Sequence, residues 1–522
     1  MKKIEDIRQE LGYEGIPING CHYLDSHFRN NLEKRCLIYQ NKDQNYGEFM
    51  SQVGAWIKTL SDAGIKKGDR VIVLIPLRLE LYQIMVALFY MGSVVVSIDS
   101  TMPKDKLKQA IEDANAQGII SVKELLKWTP LIPALWKMKR FTFDQNCLFT
   151  KTLTSIRAQD NLNFSQTPIE QDAQTLISFT TGSTGRPKAA NRSLDIFLSQ
   201  KIVSEYFWLH KEDEVDMPFF PTLVLQNLGL GITTIFPDID YRKLAEFDAS
   251  RVIAQMNQYG VTRFSANPMI IKRLADYLAS NDIKIPSLRS IIIGGAEIST
   301  KHASFVKEQF DRACSLVEIH IIYGSTEVEP ISFVPIEEYI SNKKVGLKLG
   351  HIIEVLDTKI DKVANGFDFQ EGVVWGEIYL SGPHVIKEYI DNHPANKTTK
   401  RWDEQGRLWH LTGDVGYVSG GQIYLLGRLK DCLKVNGKLV PTFHYENELA
   451  RIDGVQRAAL VQVNDTILCL VEGEVKIKEH ISEILNDWNL GEALVEFGRV
   501  PVDSRHFSRV DRNAIRESIQ HK

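Results

Sequence analysis

The nine residues Thr180-Thr181-Gly182-Ser183-Thr184-Gly185-Arg186-Pro187-Lys188 follow the apolar run LISF and begin with four hydroxyls and two glycines in six positions. Such a loop offers backbone N–H and side-chain O–H donors with little steric bulk, and Lys188 adds positive charge at its end. That combination suits a polyphosphate. It is not a Walker A loop, which needs a lysine directly after its second glycine; here Arg186-Pro187 intervene, so the mononucleotide-kinase and GTPase readings fail on spacing. A second stretch, 217–237, is apolar and glycine-bearing, with Phe219 and Phe220 near its start and no acidic residue placed to receive an amino group. It reads equally as the wall of an apolar pocket and as a helix buried for packing.

The elements that must carry these residues are alternating strands and helices. DRVIVLIP (69–76) precedes an amphipathic helix from about Leu79, SVVVSID (93–99) precedes PKDKLKQAIEDANA, and AQGIISV (116–122) precedes KELLKW. GVTRFSA (260–266) leads into PMIIKRLADYLAS, and LRSIIIGG (288–295) leads into a further helix. This rhythm predicts open, mostly parallel sheets covered by helices on both faces. Around 345–426, pieces such as VVWGEIYLS and GQIYLLG alternate with turn residues, as in a small antiparallel or barrel-like unit. Beyond Gly427 the pattern becomes α+β over about ninety residues, enough for a small domain. The expected fold class is thus α/β: a large N-terminal domain of two parallel-sheet subdomains plus a β-barrel-like one, then a small mobile α+β domain. The expected domains are 1–429 and 430–522.

The length of 522 residues allows roughly three or four folding units at about 150 residues each. A formal charge of −4 gives no field for nucleic acid, and 43% hydrophobic residues allow a large core. Six scattered cysteines without a CxxC pair suit a reducing cytosol, and the charged start MKKIEDIRQE lacks the apolar region of an export signal, so a cytoplasmic location is expected. The uncharged run Leu81 to Ile98 reaches the minimum length of a membrane span. Its helix-like half ends at Gly92 and a β-branched half follows, which predicts a buried helix and a buried parallel strand, not membrane insertion.

Four more segments follow the hydroxyl-rich loop: Gly294-Gly295-Ala296-Glu297, Tyr323-Gly324-Ser325-Thr326-Glu327, Thr412-Gly413-Asp414, and Gly427-Arg428-Leu429-Lys430-Asp431 with Gly437. With these five in order the chain resembles, over essentially its whole length, the adenylate-forming superfamily of acyl-CoA synthetases, peptide-synthetase adenylation domains and luciferases. The resemblance implies ATP-dependent conversion of a carboxylic acid to acyl-AMP with release of pyrophosphate, then transfer to CoA or another thiol such as an acyl carrier protein; with 217–237 as its acyl pocket, a fatty or other hydrophobic acid fits and an amino acid is disfavoured. It implies that Thr180, Thr181, Gly182, Ser183, Thr184, Gly185 and Lys188 hold the β- and γ-phosphates, and that Glu327 binds Mg²⁺. Thr326 would contact the α-phosphate, Tyr323 with Gly324 and Ser325 the adenine, and Ala296 and Glu297 would lie along the base. Asp414 would accept from the ribose hydroxyls, with Arg428 assisting. Lys430 would be the hinge about which the small domain turns, and Lys434 and Gly437 would lie on the face that follows, beside a pantetheine arm.

Two positions depart from that pattern. Phe219 and Phe220 stand where many relatives carry a histidine, and Ser508-Arg509 stands where the family has Gly-Lys, its catalytic lysine. Arg509 keeps the charge, but a planar guanidinium does not replace an ammonium at every contact. The tail around Arg509 and the 219–240 stretch resemble one branch in particular, the fatty acyl-CoA ligase-like β-lactone synthetases, in which the hydroxyl of an adenylated β-hydroxy acid closes on the activated acyl group. A catalytically impaired nucleotide-binding relative is the reading of another class.

Overall fold

The computed structural model describes residues 2–13, 31–142, 150–152, 164–180, 186–207, 213–369, 373–490, 493–503 and 509–520. Its first sheet has seven strands, in the order Lys151–Thr152, Lys139–Thr142, Gly118–Ser121, Arg70–Leu74, Val94–Ser97, Gln174–Thr180, Lys188–Ser193. All neighbours are parallel except the last pair, in which Thr180 lies opposite Lys188. The uncharged run 81–98 falls in the helix Leu79–Tyr90 and the strand Val94–Ser97, with Gly92 at φ +66° between them. A left-handed φ is cheap for glycine and ends the helix there. Among the described residues no helix is long and apolar enough to cross a membrane.

In the second sheet Arg35–Tyr39, Thr233–Ile235, Val215–Pro218, Arg263–Ala266, Ser290–Ile293 and Glu318–Ser325 run parallel. Side-chain caps start its helices. Asn267 Oδ1 accepts from the Ile270 amide before Pro268–Ser280, Pro268 supplying the preset first-turn φ, and Ser299 caps Thr300–Ala313. Past Glu318–Ser325 the ladder turns antiparallel, through Val328–Pro335, Leu347–Ile352, Gln422–Arg428, Leu408–Ser419, Gly376–Ser381 and Asp357–Lys362. The antiparallel texture expected around 345–426 is therefore hydrogen-bonded to the second parallel sheet.

The last ninety residues hold the hairpin Leu433–Val435/Lys438–Val440, a three-stranded sheet and the helices Phe443–Arg451, Lys478–Asp487 and Arg512–Gln520. Leu433, Leu449, Leu460, Val471 and Ile481 form the centre of their own apolar core. This unit docks on the large one through Thr300, whose amide donates to Asn447 Oδ1 at 2.9 Å and whose hydroxyl accepts from Arg451 Nε at 3.0 Å. The hydroxyl-rich loop follows the C-terminal end of a strand in the first sheet; in the second, 294–297 follow such an end and 323–327 span another. Open α/β sheets bind ligands at that edge.

Candidate active site

Glu327 lies in the turn between Glu318–Ser325 and Val328–Pro335. The segment 386–389 grips it at two points: the Ile386 amide donates to the Glu327 carbonyl at 2.9 Å, and the Tyr389 hydroxyl donates to Glu327 Oε1 at 2.6 Å. That segment lies against the strand that begins with Lys188, through an Ala190–Tyr389 bridge and the Ile390 amide donating to the Ala189 carbonyl. The phosphate-loop strand and the Glu327 turn thus reach one place from different sheets. Lys188 Nζ lies 5.1 Å from the centre of the Tyr389 ring, on which a cation is attracted by the ring quadrupole.

The electrostatics of this end follow from burial. Desolvation raises the Glu327 carboxyl, but His410, the Tyr389 hydroxyl, its own backbone amide and Ser325 outweigh it, and the group is held well below the ordinary carboxylate range. Burial, then the charge of Lys400, push His410 down, so its imidazole is neutral near pH 7. The hydroxyl and amide donors therefore hold the ionised Glu327 at neutral pH. Burial also pushes Lys400 down to about 7, with Glu327 opposing and Lys188 adding to the shift. Among the described residues no group of three His, Cys, Asp or Glu could hold a metal. A lone ionised carboxylate fits Mg²⁺, which takes one or two carboxylates and fills its shell with phosphate oxygens and water.

Thr326 is fixed from the other side. Arg192, buried in the strand Lys188–Ser193, donates to the Thr326 carbonyl at 3.0 Å, to Ser178 Oγ at 2.9 Å and to Gln200 Oε1 at 2.8 Å. One guanidinium ties the first sheet to the Glu327 turn.

The second cluster begins four residues earlier. The Tyr323 hydroxyl donates to Asp414 Oδ2 at 2.6 Å, and Arg428 Nε pairs with Asp414 Oδ1 at 2.7 Å. Asp414 and Arg428 are register partners on adjacent antiparallel strands, so both point to one face. Burial, then Asp414, push the Tyr323 phenol well above its ordinary range, which keeps its O–H a donor. Glu297 follows the strand Ser290–Ile293 and lies within electrostatic reach of Arg428 and Arg509. Arg509 comes from the C-terminal unit. Its backbone exchanges bonds with Asp503, the Arg509 amide donating to Asp503 Oδ1 at 3.1 Å and the Asp503 amide to the Arg509 carbonyl at 2.8 Å. Burial and the Arg428 charge lower its guanidinium, against Glu297, Asp414 and Asp503.

Two groups thus emerge from the expected residues: Lys188, Thr326 and Glu327 at one end, and Tyr323, Asp414, Arg428, Glu297 and Arg509 at the other. Gly324 and Ser325 join them, and Ala296 precedes Glu297 at the same sheet edge. Thr180 ends its strand with its hydroxyl 3.4 Å from the Lys188 carbonyl. Thr181, Gly182, Ser183, Thr184 and Gly185 lie outside the described residues, as does Ser508. Lys430 is exposed in the short helix Leu429–Asp431, at the start of the C-terminal unit. Lys434 is exposed too, and its amide donates to Gln462 Oε1 within that unit. Gly437 has φ +76° and Asn436 φ +50° in the two-residue loop of the 433–440 hairpin. A type I′ turn demands positive φ at both positions, so turn geometry accounts for this glycine without a ligand. Phe219 is buried in the main core, whereas Phe220 is half-buried beside Leu223, Ile292, Ile322 and Phe333, at the same sheet edge.

Sequence reasoning missed Arg192, Tyr389, Lys400 and His410. Only Arg192 had a signal, as a charged residue within a strand otherwise of small residues after Lys188. Lys400 and His410 sit in charged or mixed stretches that read as surface.

A family model described as AMP-binding enzyme matches residues 24–390. The chain is 24% identical over 510 residues to an olefin beta-lactone synthetase of Stenotrophomonas maltophilia, covering 90% of each chain. It is 24% identical over 467 residues to an uncharacterized acyl-CoA ligase, YtcI, of Bacillus subtilis, covering 86% of this chain and 84% of that one. The structure is similar to that of O-succinylbenzoate coenzyme A synthetase (MenE) from Bacillus subtilis in complex with ATP and magnesium ion, at TM-score 0.72 and 19% identity, over 94% of this chain and 98% of that one.

Proposed function

The chain belongs to the AMP-binding enzyme family, and from that premise we propose that it joins a hydrophobic carboxylic acid to the α-phosphate of ATP, releases pyrophosphate and passes the acyl group on. The observation that carries this reading is the stretch Tyr323–Glu327. Its first residue is hydrogen-bonded to Asp414, and its last is held by Tyr389, whose ring Lys188 approaches. Four residues span at most about 14 Å, which suits one nucleotide lying along the stretch, nucleoside at Asp414 and outer phosphates at Lys188.

In the first step an oxygen of the substrate carboxylate forms a bond to the α-phosphorus. The bond from that phosphorus to the bridging oxygen breaks, and its electron pair leaves with pyrophosphate. Two anions must meet and a polyanion must depart, so the protein contributes chiefly placement and charge. Asp414, held by Tyr323 and Arg428, is the acceptor for the ribose hydroxyls. Arg509 brings a guanidinium from the C-terminal unit towards the α-phosphate and the incoming carboxylate. Arg192 fixes the Thr326 backbone, and Tyr389 fixes the Glu327 carboxylate that would hold Mg²⁺. When bound, that ion neutralises charge on the phosphate oxygens. Phe220, Leu223, Ile292, Ile322 and Phe333 are the proposed wall against the acid's apolar chain. Residues 1–429 and 430–522 are the proposed domains, with Lys430 as pivot.

Two acceptors remain as readings. Similarity over nine-tenths of both chains to an olefin beta-lactone synthetase favours an internal hydroxyl, closing a β-lactone from an adenylated β-hydroxy acid. CoA or a carrier-protein thiol is the second, for which Lys434 and the open turn at Gly437 leave room. Exchange of labelled pyrophosphate into ATP, screened over hydrophobic acids, tests the first step; no exchange with any acid overturns it. Turnover of a β-hydroxy acid with ATP alone supports the lactone, and a strict need for CoA supports the thioester.

A further inference from the structure

The phosphate end holds a buried lysine to which no role has been assigned. Lys400 opens the strand Lys400–Trp402 and lies opposite His410 in register, so the two side chains share a face. Its side chain is 9% exposed, and its Nζ donates to the Ile386 carbonyl at 2.5 Å. Among the described residues that is the one hydrogen bond of its three N–H donors. The same Nζ lies 5.8 Å from the centre of the Tyr389 ring, which Lys188 approaches to 5.1 Å. Tyr389 in turn donates to Glu327. Two lysine side chains therefore converge on the ring that holds the Glu327 carboxylate, beside a neutral imidazole, and burial disfavours the charged form of Lys400 until an anion reaches it.

A buried cation with unspent donors is costly unless something anionic completes it. We propose that Lys400 is a second cationic anchor of the outer phosphates, acting with Lys188 to hold the departing pyrophosphate. The inference rests on the adenylation reading, which puts the phosphates rather than the nucleoside at this end. Phosphate oxygens suit it better than the acid's carboxylate because Lys400 neighbours Lys188 and Glu327, while the residues assigned to the nucleoside and acyl side, Asp414 and Arg509, form the other cluster. Lys400 neutralises leaving-group charge that increases as the α-phosphate bond breaks, so its contribution grows towards the transition state.

Lys400→Met keeps the stem and removes the charge. Calorimetric titration of full-length protein with inorganic pyrophosphate and Mg²⁺ is expected to show binding weakened by about tenfold or more, the value of one charge-assisted contact. AMP, which lacks the outer phosphates, is expected to bind within about twofold of the parent protein by the same reasoning. Lys400→Arg is expected to recover part of the loss. Unchanged pyrophosphate affinity in Lys400→Met overturns the proposal, as does equal weakening of AMP and pyrophosphate, which marks a packing role. A raised KM for the acid with unchanged pyrophosphate affinity assigns Lys400 to the carboxylate instead and also overturns it. If the parent protein binds no pyrophosphate, the adenylation reading falls and takes this one with it, an outcome distinct from parent binding that the variant leaves intact.

Discussion

Tyr389→Phe removes one oxygen from the site and leaves the ring under Lys188 and Lys400. The lost hydroxyl donates to Glu327 Oε1 at 2.6 Å, a charge-assisted bond worth about 1.5–3 kcal/mol. At about 1.4 kcal/mol per pKa unit, Glu327 should rise by one to two units. The sign follows from its depressed starting value. The Tyr389 bond stabilises the ionised form, so that stability is present above the unfolded carboxylate's range and is lost as pH falls through the folded value. The acid limb of pyrophosphate exchange should therefore move towards neutral pH by one to two units. At pH 7.5 Glu327 is ionised in both proteins, and the effect there is on placement. Loss of a partner that orients a metal ligand typically costs about 10–100-fold, so half-saturating Mg²⁺ should rise at least tenfold. Exchange measured across pH and Mg²⁺ concentration tests both, with Glu327→Gln as the limit in which most exchange disappears. An unchanged acid limb and an unchanged Mg²⁺ requirement, in a variant that melts like the parent, refute the role given to Tyr389.

Arg509→Ala should slow pyrophosphate exchange about ten- to hundredfold, the loss of one charged contact, while conversion of preformed acyl-adenylate proceeds at the parent rate; a defect confined to the second step shows that Arg509 serves another face. Arg512→Met breaks the buried pair in which Arg512 donates to Glu446 at 2.6 and 2.7 Å and to Thr442 at 3.1 Å, at a cost of about 3–5 kcal/mol in denaturant unfolding. Burial already raises Glu446, and without its partner the group rises further. A raised carboxyl contributes stability below its unfolded value that disappears as pH climbs through the folded one, so the variant should lose less at pH 5 than at pH 8. Equal losses at both would remove Glu446 from the account.

The chemistry legible in the sequence was of a local kind. A loop dense in hydroxyls and glycines is a property of neighbouring residues, and so is the alternation of β-branched and helical runs that produced Arg70–Leu74, Leu79–Tyr90 and Val94–Ser97 where the pattern put them. The five ordered segments extended this to Glu327, Asp414 and Arg428, which recur at spacings short enough to read. Arg192, Tyr389, Lys400 and His410 carry no such spacing. Lys400-Arg401 looks like a solvated pair, because nothing nearby in the chain shows that the first faces inward and the second does not.

Local sequence sets the elements, their alternation and the loop that invites a polyphosphate, because each depends on contacts within a few residues or on period. Which charges meet is set by the packing of the sheets. Lys188 comes from the first sheet, Glu327 from the turn that ends the parallel part of the second, and Tyr389 and Lys400 from segments among the antiparallel strands. Arg509 comes from the C-terminal unit. Electrostatic energy depends on distances in space and on how much water remains between groups, and both are fixed by packing that no local stretch of chain records.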